Sequence, residues 1–196
     1  MTRPNLTPRR GNLRAVADRL ERATPGLHIE IIGGALVMSP APRGKHAGII
    51  LILEQEIRPA LLDSLVAIEV AAVEMPDDPD DYVIPDLTVC PADFVQSDEW
   101  LLDPADVELA VEVISPSERS KGVADKADWY AVAGVRCLLL IDPRSGTWVL
   151  RSHPDGGQYQ GTRHGKFGES VPLPAPLGFE ISTDSFPFYG ETPGKA

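Results

Sequence analysis

Apolar residues recur along this chain at two spacings, every third or fourth position and every second position, and the changes between them mark its elements. Between Asn12 and about Ala23, Leu13, Val16, Ala17 and Leu20 keep helical spacing, and Pro25-Gly26 closes that helix. Leu27, Ile29 and Ile31 then alternate, Gly33-Gly34 supplies turn residues, and Leu36-Val37-Met38 follows, which predicts a hairpin. The loop 39–46, SPAPRGKH, leads into a second helix from about Ala47 to Leu62, with Ile49, Ile50, Leu53 and Ile57 on one stripe. Short strands are expected near 65–75, 83–90 and 107–114, and a third helix from Ser117 to Ala133, stopped by Gly134. Residues 135–142, VRCLLLID, are almost continuously apolar and suit a strand covered on both faces. Pro143 and Gly146 turn it into a further strand at 147–151, and the Gly- and Pro-rich remainder predicts short hairpins. The pattern is that of one mixed α/β domain over 12–189, with a disordered lead-in at 1–11 and a loose tail at 190–196.

Composition agrees with that picture. A chain of 196 residues, 43% hydrophobic and 24% charged, can bury a core without disulfides or a structural metal. Cys90 and Cys137 sit in apolar runs, which predicts buried, reduced thiols and a cytoplasmic setting. No apolar run approaches the roughly 18–20 residues of a membrane span, and MTRPNLTPRR lacks the apolar stretch of a signal peptide.

Charge is distributed unevenly. The formal net charge is -11, and residues 61–112 hold fifteen Asp and Glu without a single Lys or Arg. So acidic a chain is a poor non-specific binder of nucleic acid, since phosphate neutralisation by Lys and Arg dominates that affinity. Most of the acid reads as a solvated loop, 77–81 (DDPDD), and exposed strand faces. Asp86 and Glu112 do not fit that reading. Asp86 follows Pro85 and opens an apolar strand, where a carboxylate can face a cleft at a sheet edge. Glu112 is flanked by Val111, Val113 and Ile114, an expensive place for an unpaired charge. It is either ion-paired on a sheet face or a metal ligand or base. On the helix that follows, about 100° per residue places Lys126 beside Val123, Tyr130 and Ala133, at the edge of the packed face, and turns Lys121 to solvent. Two carboxylates with room for water suit Mg²⁺ or Mn²⁺, and a lysine beside them can stabilise charge on a phosphoryl group.

Several runs together resemble a known family. They are 30-EIIGGALVMSPAPRGKH-46, 85-PD-86, 112-EVISPS-117, Lys126, Tyr130, 134-GV-135 and 138-LLLIDP-143, and the likeness spans about residues 28–150. Each piece is weak alone, but their order and spacing are similar to the Uma2 family, or DUF820, of the PD-(D/E)XK superfamily. The resemblance implies a restriction-endonuclease-like fold, a central mixed sheet flanked by helices. It also implies a Mg²⁺-dependent endonuclease acting on DNA, often as a homodimer. By the same resemblance Asp86 and Glu112 are the metal-binding acids, Lys126 is the catalytic lysine and Glu30 adds a supporting carboxylate. One departure matters: Ile114 stands where the superfamily pattern has its lysine, which implies that the lysine has migrated to the helix. The alternative is an inert nuclease-fold module that binds nucleic acid or a protein partner.

Other candidates come from the residues themselves. His46, in the basic loop 43–46, could meet a phosphate or polarise the site, and Arg43 and Lys45 could contact nucleic acid along with Arg9, Arg10 and Arg14. Ser115 could bond within the site, or cap the third helix, since Ser115 and Glu118 have capping-box spacing. His28, His153 and His164 have no metal-like spacing.

Overall fold

The computed structural model describes residues 13–190; the lead-in expected at 1–11 and, but for Gly190, the tail expected at 190–196 lie outside them. The elements run in chain order as α1 (Leu13–Ala23), β1 (Leu27–Ile32), β2 (Ala35–Pro40), α2 (Gly44–Ile57), β3 (Leu65–Ile68), β4 (Ala72–Met75), β5 (Asp78–Val83), β6 (Leu87–Pro91), β7 (Leu101–Leu102), β8 (Leu109–Val113), α3 (Ser120–Ala133), β9 (Cys137–Asp142), β10 (Thr147–Asp155), β11 (Gln158–Lys166), β12 (Val171–Pro172) and β13 (Glu180–Ile181). One sheet has six strands in the order β11-β10-β9-β8-β6-β3, a second has five in the order β2-β1-β5-β4-β7, and β12 and β13 pair alone.

The six-stranded sheet is antiparallel except at its centre, where β8 and β9 run parallel. A parallel pair needs a crossover, and α3 provides it. Side chains alternate across β9. Cys137, Leu139 and Ile141 join Ile49, Leu53 and Ile57 of α2 in one core, while Leu138 and Leu140 join Ala127, Tyr130 and Ala133 of α3 in another. The second core also takes Val73 and Val83 from the five-stranded sheet. A third core, of Ala17 on α1 with Ile29, Ile31 and Tyr82, covers the other face of that sheet. The apolar run of β9 is therefore apolar because both of its faces are covered.

Local signals account for several ends. Gly33 and Gly34 both take positive φ, at 58° and 74°, and close the two-residue turn between β1 and β2. Gly134 ends α3 in the left-handed conformation, its N–H bonding to the Tyr130 carbonyl.

Other expectations need correction. α2 begins at Gly44, so that 44–46 is its first turn and not a loop, and it gives way to a 3-10 turn, Arg58–Ala60, where Pro59 has no N–H to continue it. α3 begins at Ser120 with Arg119 at its N-cap, so Ser115 does not cap it. The capping-box spacing closes a preceding turn instead: the Ser115 N–H donates to the Glu118 carboxylate at 3.3 Å. The stretch 65–75 is two strands in different sheets, and so is 83–90, because the chain leaves the five-stranded sheet after Val83 and enters the other at Leu87. The acidic run 77–81 is not a solvated loop. Pro76 and Asp77 make a tight turn, with Asp77 at φ 66°, and β5 begins at Asp78. Within that strand Asp81 is buried and accepts the Trp129 indole N–H at 2.8 Å. Both cysteines are buried and free. Among the described residues, no helix is long and apolar enough to cross a membrane.

Candidate active site

The seam between the two sheets collects the charged residues that the sequence singled out. Asp86 lies on the crossover between the two sheets, residues 84–86. Its N–H donates to the Val111 carbonyl at 3.0 Å, which continues the β6–β8 register by one step and sets Asp86 opposite Glu112. Directly opposed residues of an antiparallel pair share a face. The Asp86 carboxylate is clamped at both oxygens: Oδ2 accepts the Val113 N–H at 2.7 Å, and Oδ1 meets His46 Nε2 at 2.8 Å. His46 reaches it because α2 starts early enough to turn this side chain inward, where it is buried.

From the other sheet comes Glu30, on β1, turned the opposite way from Ile29 and Ile31 and buried. Its Oε1 accepts the N–H of Ile84, the first residue of the crossover, at 2.7 Å. Lys126 joins the two sheets. Its Nζ lies 2.8 Å from Glu30 Oε1 and 2.8 Å from Glu112 Oε1, with only 14% of its side chain exposed. One turn further along α3, the Tyr130 hydroxyl donates to the same Glu112 oxygen.

This arrangement has electrostatic consequences. Burial pushes the Glu112 carboxyl up, Lys126 pulls it back, and the charges of Asp86 and Glu30 add to the rise. Burial alone would lower Lys126, but Glu112 and Glu30 outweigh it and hold the ammonium above its ordinary range. Tyr130 is raised far above the usual phenol range, by burial first and then by Glu112, and stays a donor. Three acidic side chains, Glu30, Asp86 and Glu112, thus face one lysine, so the cluster holds more carboxyl groups than cations in a place where charge is costly.

Asp86 and Glu112 are the residues that could hold a metal. Among the described residues, no three His, Cys, Asp or Glu side chains are spaced around one point to enclose it. The donor chemistry fits nonetheless: two hard carboxyl groups stand at opposed positions, and a divalent cation would offset the repulsion between them.

The remaining candidates lie apart from this cluster or at its rim. Ser115 contributes its backbone N–H to the turn described above. Arg43 is exposed at the start of α2. Lys45 donates to the carbonyls of Phe188 and Gly190 at 2.7 and 2.8 Å. Arg14 stacks over the rings of Tyr82 and Trp100, at 5.1 and 4.5 Å from their centroids. Arg9 and Arg10 lie outside the described residues. His153 and His164 are exposed and His28 is half-buried. Two tyrosines were missed as site residues. Tyr130 had a signal, since it stands four residues after Lys126 on the same helix face. Tyr189, whose hydroxyl lies 3.3 Å from His46 Nδ1, had none.

The model of the Uma2 family, described as "Putative restriction endonuclease", matches residues 16–184. The chain belongs to that family. A solved structure, described as a putative nuclease belonging to DUF820 from Anabaena variabilis, superposes with a TM-score of 0.62 at 19% identity, covering 81% of this chain and 88% of its own. That likeness establishes the restriction-endonuclease-like fold. No curated protein sequence matches the chain.

Proposed function

We propose that this protein is a Mg²⁺- or Mn²⁺-dependent endonuclease that hydrolyses phosphodiester bonds in DNA, with Asp86, Glu112 and Lys126 as its catalytic residues. The observation that carries this reading is the convergence of Asp86, Glu112 and Lys126 at the sheet seam, with Glu30 completing the ion pairs. Asp86 and Glu112 would hold the metal, which when bound polarises a phosphoryl oxygen and lowers the pKa of a water. Lys126 acts as a fixed positive charge. With its protonated form so favoured, it is no base: it orients the attacking water and stabilises charge developing on the phosphate. An ammonium has three donors, and Glu30 and Glu112 use two, which leaves one for a phosphoryl oxygen. Glu30 keeps Lys126 aimed, and His46 keeps Asp86 aimed. The family's description as a putative restriction endonuclease supports the same reading.

The test is nicking of supercoiled plasmid by the purified protein with Mg²⁺ or Mn²⁺, beside the same reaction in EDTA and with Glu112→Gln. Nicked and linear products only with metal and only with Glu112 intact are expected. A protein that binds Mn²⁺ neither by calorimetry nor in cleavage would be the inert nuclease-fold module instead.

A further inference from the structure

The segment after β13 returns to the site, past the last residue that the family model matches. It is held along its length. Phe188 packs on Phe167 with the rings tilted by 59° and their centroids 5.1 Å apart, and lies so close to Gly146 that a Cβ there would be 2.0 Å from its ring. The Tyr189 N–H donates to the Pro143 carbonyl at 2.9 Å, and Lys45 grips the carbonyls on either side of Tyr189. Lys45 and His46 are neighbours on the first turn of α2, so that one turn of helix binds the strap through one residue and Asp86 through the next.

From this geometry we infer that Tyr189 is a positioning residue of the active site: its hydroxyl donates to His46 Nδ1 and fixes the imidazole so that Nε2–H meets Asp86 Oδ1. A carboxylate oxygen accepts, so Nε2, which faces Asp86 Oδ1, is placed to donate, and Nδ1 on the other side of the ring is placed to accept. Tyr189 is the donor available to it. Burial, with Asp86 and Asp142 nearby, pushes its phenol up to about 12, so the donor persists across the working pH range. The chain Tyr189–His46–Asp86 thus holds one carboxylate at a set angle, as outer hydrogen bonds hold metal ligands elsewhere. The inference rests on the nuclease reading for the role of Asp86, but the placement of the hydrogen bonds does not.

The experiment therefore starts without metal or substrate. Long-range ¹H–¹⁵N correlation spectra in alkaline buffer would assign the His46 nitrogens in the wild type and in Tyr189→Phe, which keeps the ring and loses only the hydroxyl. Expected are a protonated Nε2, and an Nδ1 resonance that moves to the value of an unbonded acceptor in the variant. Calorimetric Mn²⁺ titration should show about tenfold weaker binding for Tyr189→Phe, the low end of the 10–100-fold that outer hydrogen-bond partners contribute. In a His46→Gln background, where no Nδ1 remains, the same change should do nothing further. A protonated Nδ1 in the wild type, an Nδ1 shift unmoved by Tyr189→Phe, or an equal Mn²⁺ loss in the His46→Gln background would each overturn the inference. If the wild type binds no Mn²⁺, the nuclease reading fails by itself, and the nitrogen shift still decides whether Tyr189 orients His46.

Discussion

Helix α3 carries two lysines five positions apart, and both pair with carboxylates, but the pairs are different objects. Lys121 has 85% of its side chain exposed and meets Asp125 one turn along the same helix, at 2.5 Å. Water screens both partners, and such a pair contributes about 0.3–0.5 kcal/mol at most. Lys126 meets two carboxylates from two different sheets, in a place that water hardly reaches. Removing its charge strands both of them. Ion-pair distance alone does not rank these contacts. What ranks them is the solvation that each partner gave up and how far along the chain its partner lies.

Lys126→Met should have the largest effect. It leaves Glu30 and Glu112 buried without a cation, which should cost about 3–5 kcal/mol, read as a shift of the urea midpoint at pH 8. Cleavage should fall by about 10²–10⁴ while Mn²⁺ still binds. A loss of stability below 1 kcal/mol would mean that the lysine is no more buried in effect than Lys121.

Glu112→Gln removes the acid of the buried pair and keeps its shape. Cleavage should vanish, and in EDTA the folded state should gain stability. The sign follows from linkage. Burial pushes Glu112 up to about 8 from the 4.5 of a free carboxyl, so the folded state holds its proton more tightly than the unfolded chain does. Its contribution is therefore intact below pH 4.5 and is lost as pH rises toward 8. The melting temperature of the Gln variant should exceed that of the wild type by a margin that widens from pH 5 to pH 8.5. A margin that narrows would show that Lys126 dominates the carboxyl.

Lys121→Met completes the set with the smallest effect. Stability should change by no more than about 0.5 kcal/mol, and cleavage should keep its rate, with at most a different salt dependence. Losses like those at Lys126 would mean that α3 presents a different face to the sheets.

Much of this was legible in the sequence, for local reasons. The apolar run of β9 and the Gly134 stop follow from period and backbone chemistry, and the inward turn of Lys126 follows from counting residues around a helix. The division of strands between two sheets was not legible. Residues 83–90 read as one strand, because the run is apolar on both sides of Pro85 and only tertiary pairing assigns Val83 and Leu87 to different sheets. The acidic run at 77–81 misled for a similar reason: what covers Asp81 is Trp129, 48 residues away. Candidate site residues were legible where a burial conflict marked them, as at Glu112. Tyr189 carried no such mark, since it meets its partner across 143 residues.

The crossover at Ile84–Asp86 has a mechanical consequence. Glu30 travels with the five-stranded sheet and Glu112 with the six-stranded one, so Lys126 works as a bolt through two plates. It does not act alone: Val73 and Val83 of one plate share a buried core with Leu138 and Leu140 of the other, and the Trp129–Asp81 hydrogen bond ties α3 to the five-stranded plate. A shift of either plate would carry one carboxylate away from the lysine and leave the other in place.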